Sequence, residues 1–453
     1  MSPARIGVVG GGLAGMAAAL CAADAGAEVV LFERRPVLGG LTSSIQRKGL
    51  SFDNGQHVFL RCCTAYRGFV DRIGANGKVF LQSRLDVPVL APDGTRASIK
   101  RTALPAPLHL AGSLGRYRHL SLRERVRLGR PALVLGRLDP NDPTLDNVSF
   151  GDWLKSQGQS ERAVERLWNL IALPTINLPA GEASLALATK VFRVGLLDRA
   201  DAGDIGWSAV PLAELHGALT APALEAAGVE TLLGSAVSAV SRSAAGAFTL
   251  RAGERSEVVD AVVVATPLRV AAALGVFERE ADLERLGASP IVNVHLVLDR
   301  KVTELPLAAC VGSPIQFVFD RTVSSGLKSG QCLAISLSAA DGYMARGSSE
   351  LVSTFLEALR ELFPPARHAQ LLDALVTRER AATFRAAPGT RALRPQTRTG
   401  VPGVFLAGAW CDTGWPATME GAVRSGQQAA SQALALVSGI RVGDPRQLEG
   451  AGT

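Results

Sequence analysis

Apolar positions near the start of the chain fall into two alternating rhythms. Ile6 to Val9 is a short continuous run closed by glycine, which predicts a buried strand. Leu13 to Ala25 is rich in alanine, a strong helix former, and Gly26 suits the end of that helix. Glu28 to Phe32 is a second, β-branched run. Strand, helix and strand in this order make a βαβ unit. The strand pattern returns at "DAVVVATP", Asp260 to Pro267, and at "GVFLAGAW", Gly403 to Trp410. A helix with small residues in its first turns follows over Thr418 to Val437. Three pieces of one sheet therefore stand at the beginning, middle and end of the chain.

What lies between them reads as insertions. Residues 1–80, 206–287 and 391–440 are assigned to a discontinuous Rossmann-like domain of the α/β class, and 81–205 with 288–390 to an inserted α+β substrate unit. The second insertion carries strand-like runs, "IVNVHLVL" and "CLAISLS", then a helical "LVSTFLEALRELF". The first is rich in Leu, Pro and Arg, with a helical patch at "SLRERVRLGRPALVLGRL". Residues 441–453 read as a loose tail.

Composition narrows the picture. The chain has 453 residues, enough for two or three packed units. A net charge of +7 is modest for this length, and aromatic residues make up only 5%, so a nucleic-acid partner is not expected. The six cysteines form no C-x-x-C pair, so neither a metal site nor a disulfide framework is expected, and a reducing, cytoplasmic setting is. No signal-peptide pattern opens the chain, and no apolar run reaches the roughly 18 residues of a spanning helix. Lys100 to Arg137 holds nine Lys or Arg against the single acid Glu124, interleaved with Leu and Val. That pattern suits either an amphipathic helix lying on the anionic inner face of a membrane or an ordinary solvated face.

The candidate chemistry sits in the first glycine turn. Gly10, Gly12 and Gly15 form G-x-G-x-x-G between strand and helix. Gly10 permits the tight turn, Gly12 leaves backbone bare to a pyrophosphate, and Gly15 lets the helix lie close on the strand. The amides around Leu13 and Ala14 would face the anion at the helix N-terminus. Glu33 ends the second strand, where a carboxylate accepts from ribose hydroxyls and repels a 2′-phosphate. Arg34 and Arg35 beside it keep NADP open. Only one such glycine motif is present, so a second dinucleotide domain for an electron donor is not expected.

Gly39 and Gly40, followed by Leu41 and Thr42, resemble the "ExxxxxGG" extension of amine oxidases and phytoene desaturases, which favours FAD; those families usually carry arginine where Leu41 stands. The chain resembles more specifically the hydroxysqualene dehydroxylase family, the squalene-associated FAD-dependent desaturase-like enzymes. The resemblance rests on "DNGQH" at Asp53 to His57, "LWNLIALPTINLPAGEASLALA" at Leu167 to Ala188, "DIGWSAVPLAELH" at Asp204 to His216 and "GWPATMEGAVRSG" at Gly414 to Gly426. It implies an FAD-binding domain of the amine oxidase/glutathione reductase type and reduction of hydroxysqualene to squalene. It further implies cofactor contacts from Gln56, His57, Val237, Ala265, Gly408, Met419, Glu420 and Ala422. Asp412 would take over for the acidic residue that Ala409 replaces. Asp53 and His57 are the candidate acids that assist loss of the hydroxyl, the alternative being that Asp53 caps a turn and Gln56 and His57 bind flavin. Trp168, Trp410 and Trp415 are candidates for stabilising a cation, and Cys411 for a covalent flavin link. A carotenoid or phytoene desaturase, an amine or protoporphyrinogen oxidase and a flavin-binding scaffold without turnover remain alternatives.

Overall fold

The computed structural model of the protein describes residues 3–244, 246–276 and 280–439; the expected tail at 441–453 lies outside them. The nucleotide-binding layer consists of strands β1 (Arg5–Val9), β2 (Glu28–Glu33), β3 (Glu230–Leu233), β4 (Ala261–Val264) and β5 (Val404–Leu406). They pair in the order β3-β2-β1-β4-β5, all parallel. β1, β2, β4 and β5 are those the sequence pattern predicts. β3 escaped it because "ETLL" is a short edge strand with no fully buried position.

Helix α1 (Leu13–Asp24) joins β1 to β2, and helix α2 (Met419–Val437) follows β5. Nine of the residues of α1, from Leu13 to Ala22, are buried, because the helix is covered on both sides. One side is the sheet. The other is α2, whose Gly426 lies so close that a Cβ there would sit 2.1 Å from the Ala14 carbonyl oxygen. On the opposite face of the sheet a three-stranded antiparallel meander, residues 239–259, presses Leu250 onto Gly7. A Cβ on Gly7 would sit 2.4 Å from Leu250 Cδ1 and force that side chain to move.

Both insertions contribute to one seven-stranded sheet. Asp86–Leu90 and Arg96–Lys100 come from the first; Ala288–Leu298, Leu307–Cys310, Phe317–Asp320, Gln331–Ser338 and Leu371–Phe384 come from the second. The parallel pairing of Ala309 with Val89 joins the two. The helix Ser348–Leu362 covers one face through Leu351, Phe355 and Leu359, spaced as an amphipathic helix requires. The remaining helices build a separate core around Phe150, Trp168 and Phe192. Trp168 is therefore a packing residue, its indole N–H donating to Gln159. The basic patch is two short helices, Leu122–Arg127 and Gly129–Leu135, rather than one. Ser121 and Glu124 cap the first reciprocally. Leu122, Val126 and Leu133 are exposed among the arginines. Among the described residues no helix is long and apolar enough to cross a membrane.

Candidate active site

Parallel pairing aligns the carboxyl ends of the strands. Val9 sits level with Phe32 on one side and Val264 on the other. Gly10, Glu33 and Ala265 consequently meet along one rim, at the point where the strand order reverses, which is where open α/β sheets bind ligands. Gly10 holds a φ of +112° and would drive a Cβ to 2.5 Å from the Ala265 carbonyl oxygen; Gly15 would drive one to 1.8 Å from Gly10 O. The Glu33 carboxylate is buried in this rim and accepts from the amides of Gly11 (2.7 Å) and Arg35 (2.8 Å). Arg34 points to solvent. The second glycine pair closes onto the first: Gly39 N donates to Gly11 O at 2.9 Å, and the space a Cβ on Gly40 would need lies 3.0 Å from Gly12 Cα. Leu41 is exposed and Thr42 buried, its hydroxyl donating to Gly39 O. Val237 stands in the loop after β3, on the same side.

The residues of "DNGQH" leave the small strand Leu50–Asp53 directly into the interior. Asp53 is buried and wholly committed as an acceptor. Its Oδ1 takes the Ser44 hydroxyl (2.7 Å) and the Leu212 amide (2.9 Å), and its Oδ2 takes Arg321 Nη2 at 2.7 Å. Arg321 is itself buried and spends Nη1 on Ser208 O. Asp53 is thus one half of a buried ion pair with Arg321 that anchors the loop. His57 places Nδ1 3.1 Å from Gly55 O. A carbonyl can only accept, so Nδ1 carries the proton and Nε2 is the basic nitrogen. Burial pulls the His57 pKa below 6.5, with Asp53 opposing and Arg321 adding to the shift. The ring is neutral at pH 7 and gives up a proton readily once it has gained one.

Two further histidines, not singled out in the sequence, pack against this loop. His295 lies 3.0 Å from the Asp53 carbonyl oxygen through Nε2, and His216 lies 3.0 Å from the Tyr66 hydroxyl. Burial pushes His295 down to about 4 and His216 to about 3. Unfolded, both would titrate near 6.5 and bind protons that the folded chain refuses. Their stabilising contribution is complete above pH 6.5 and is lost as pH falls toward 4 and then 3. At about 1.4 kcal/mol per unit, His295 alone accounts for at most roughly 3–4 kcal/mol. The melting temperature is expected to drop steeply between pH 6.5 and 4. His295→Gln, which keeps a donor for Asp53 O, should flatten that slope in a pH series of thermal melts.

The C-terminal side of the rim differs from expectation at several residues. Gly408, at φ +157° close to extended backbone, donates its amide to Ser425, tying the end of β5 to α2. Met419, Glu420 and Ala422 do lie in the first turn of α2. The Glu420 carboxylate, however, turns away and accepts from the Ala65 and Tyr66 amides, capping the helix Thr64–Arg72, while Arg424 covers it. Asp412 faces Arg391 (3.5 Å) and Arg394 (3.6 Å) and accepts from Gly414 N, so its carboxylate helps to hold this turn. Trp415 already carries Lys190 and Arg424 over its ring, and Trp410 donates to Thr266 O. Burial pushes the Cys411 thiol far up, which disfavours the thiolate.

The rim fits a dinucleotide. The first turn of α1 carries no side-chain cap and no acidic residue, leaving its amides to an anion. A Cβ on Gly12 would meet nothing nearer than 3.9 Å. Thr266, next to Ala265 on the rim, keeps a buried hydroxyl that has no partner among the described residues.

These features define an FAD-binding oxidoreductase. The chain belongs to the flavin containing amine oxidoreductase family, whose profile matches residues 13–434. It is similar to the hydroxysqualene dehydroxylases of Zymomonas mobilis (26% identical, spanning 94% of this chain and 98% of that one) and Sinorhizobium fredii (28%, 95% and 99%). It is similar also to the zeta-carotene desaturase of Arabidopsis thaliana (24%, 94% and 84%). The fold matches that of cyclohexylamine oxidase from Brevibacterium oxydans with a TM-score of 0.71 at 18% identity, over 96% of this chain and 100% of that one.

Proposed function

We propose that the protein reduces hydroxysqualene, an allylic alcohol, to squalene. The overall change takes R–OH, two electrons and two protons to R–H and water. The observation that carries the reading is the "DNGQH" loop: a neutral histidine with a bare Nε2 and a neutralised Asp53–Arg321 pair stand together beside the glycine rim. The hydroxysqualene dehydroxylase relatives supply the substrate class. Gly10, Gly12, Gly15, Glu33, Gly39 and Gly40 would hold FAD, with Thr266 adding its free hydroxyl. Bound reduced FAD supplies the hydride. His57 takes a proton at Nε2 and passes it to the departing hydroxyl. Trp207, Leu212 and Phe319, packed beside His57, would exclude water from that step.

The test is anaerobic incubation of reduced holoprotein with hydroxysqualene, the extract being analysed by mass spectrometry. Squalene should form in proportion to flavin oxidised, and the rate should fall as pH rises through a midpoint below 6.5. Flavin that stays reduced, with no squalene formed, overturns the reading. The oxidised protein would then be tried on zeta-carotene, the substrate class of the relative in Arabidopsis thaliana.

The substrate is a membrane lipid precursor. The exposed Leu122, Val126 and Leu133 among Arg123, Arg125, Arg127 and Arg130 support docking to the anionic inner face of a membrane. Co-sedimentation with phosphatidylglycerol liposomes should be strong at low salt, and Val126→Asp should weaken it severalfold. No sedimentation at low ionic strength would rule docking out.

A further inference from the structure

One small cavity lies against the "DNGQH" loop. It is lined by Gln56, His57, Trp207, Leu212, Phe319 and Arg321, with Asp53 behind. Its volume is about 10 Å³, room for roughly one water-sized group. Two buried donors at this cavity are unspent: Gln56 Nε2 and Arg321 Nε have no partner among the described residues. A buried donor left unpaired is costly, so such a pair implies an acceptor oxygen, from a water or from a ligand.

The chemistry of that acceptor follows from the charges. The Asp53 carboxylate, 2.7 Å away, already neutralises Arg321. The site thus presents two N–H groups but no net positive charge, and it is too small for a carboxylate or phosphate. A single neutral oxygen fits. The remaining walls are Val58, Ser208 and the apolar faces of Trp207, Leu212 and Phe319; the cavity has room for the oxygen alone, and the hydrocarbon chain attached to it would lie outside. His57 lines the same space, so a hydroxyl held by the two donors would lie beside the proton carrier.

We propose that this cavity is the receptor for the hydroxyl oxygen of an isoprenoid alcohol, with Gln56 and Arg321 as positioning and specificity-determining residues. The inference deepens the dehydroxylase reading and rests on it for the identity of the alcohol. A hydrocarbon substrate of a carotene desaturase would leave both donors unpaired, so the pocket selects for the alcohol. It also gives the departing water a place of its own size.

The test uses oxidised holoprotein, which binds without turning over. Hydroxysqualene and squalene are titrated separately, followed by tryptophan fluorescence and by perturbation of the flavin spectrum. The wild-type protein should bind the alcohol about tenfold more tightly than the hydrocarbon, as expected when a polar site is left unsatisfied by the analogue lacking its group. Gln56→Leu removes one donor. Arg321→Lys removes the Nε donor while keeping a cation for Asp53. Each should bring the ratio near one with squalene affinity unchanged within about twofold. Equal affinity in the wild type, an unchanged ratio in both variants, no binding of either lipid, or loss of flavin from Gln56→Leu would each overturn the inference. Turnover is measured on the same preparations. Squalene formed with an unchanged binding ratio sinks the pocket alone; a lost ratio without wild-type turnover keeps the pocket and sinks the reaction.

Discussion

Arg321→Met is expected to destabilise the protein by about 3–5 kcal/mol, the cost of leaving a buried charge without its partner. Asp53 is 6% exposed and Arg321 8%. Neither can reach water when the other is removed. Asp53→Asn should cost less than Arg321→Met, because an amide oxygen still accepts from Ser44 and Leu212. The double variant Asp53→Asn/Arg321→Met should be more stable than Arg321→Met alone, since no naked charge remains. Urea unfolding of the four proteins as a double-mutant cycle measures the coupling directly. Additive losses, with the double variant the least stable, would show that the pair is not the anchor described above.

Gly426→Val should yield a chain that carries little or no flavin. The added Cβ lands 2.1 Å from Ala14 O and 3.0 Å from Ala14 C, both backbone atoms of α1 that no side-chain rotation can move. α2 must therefore shift outward. Overpacking of this kind costs about 1–3 kcal/mol, and the helix that Gly426 presses on, α1, is the one whose first turn follows Gly12. The ratio of flavin to protein absorbance after purification reports the loss, and a thermal melt reports the destabilisation. Gly68→Ala is the control: it lies in the helix Thr64–Arg72, and its Cβ would meet nothing within 4 Å. It should retain full flavin and melt no lower than the parent. Full flavin occupancy in Gly426→Val would mean that the α1–α2 seam does not govern the phosphate turn.

What the chain reveals without a structure is the part governed by near neighbours. Gly10, Gly12, Gly15 and Glu33 are separated by few residues, and their roles follow from a turn, a helix start and a strand end that local sequence dictates. The polar cluster at Asp53 to His57 was visible as a cluster, but its meaning was not. Arg321, which pairs with the Asp53 carboxylate, is 268 positions away. It sits in "FVFDRTVSSG", a stretch that reads as an ordinary strand end. His216 and His295 escaped notice because a lone histidine in an apolar run carries no periodic signal. The partner of Glu420 was hidden for a related reason. A first-turn acid on α2 looks aimed along its own helix, whereas it caps a different helix that the chain formed 355 residues earlier.

The loop around Asp53 also binds the two halves of the molecule to each other. The carbonyl of Asp53 receives His295, and that of Asn54 receives both Asn293 and Thr377, all from the seven-stranded sheet. Any attempt to recombine this protein with a relative, keeping the half built on the parallel sheet and exchanging the half built on the seven-stranded sheet, meets this seam first. A crossover that separates residues 53–57 from positions 293, 295, 321 and 377 would strand buried donors and a buried charge on each side. Recombinants that inherit the two groups from one parent should assemble, and those that split them should not, however well the remaining surfaces match.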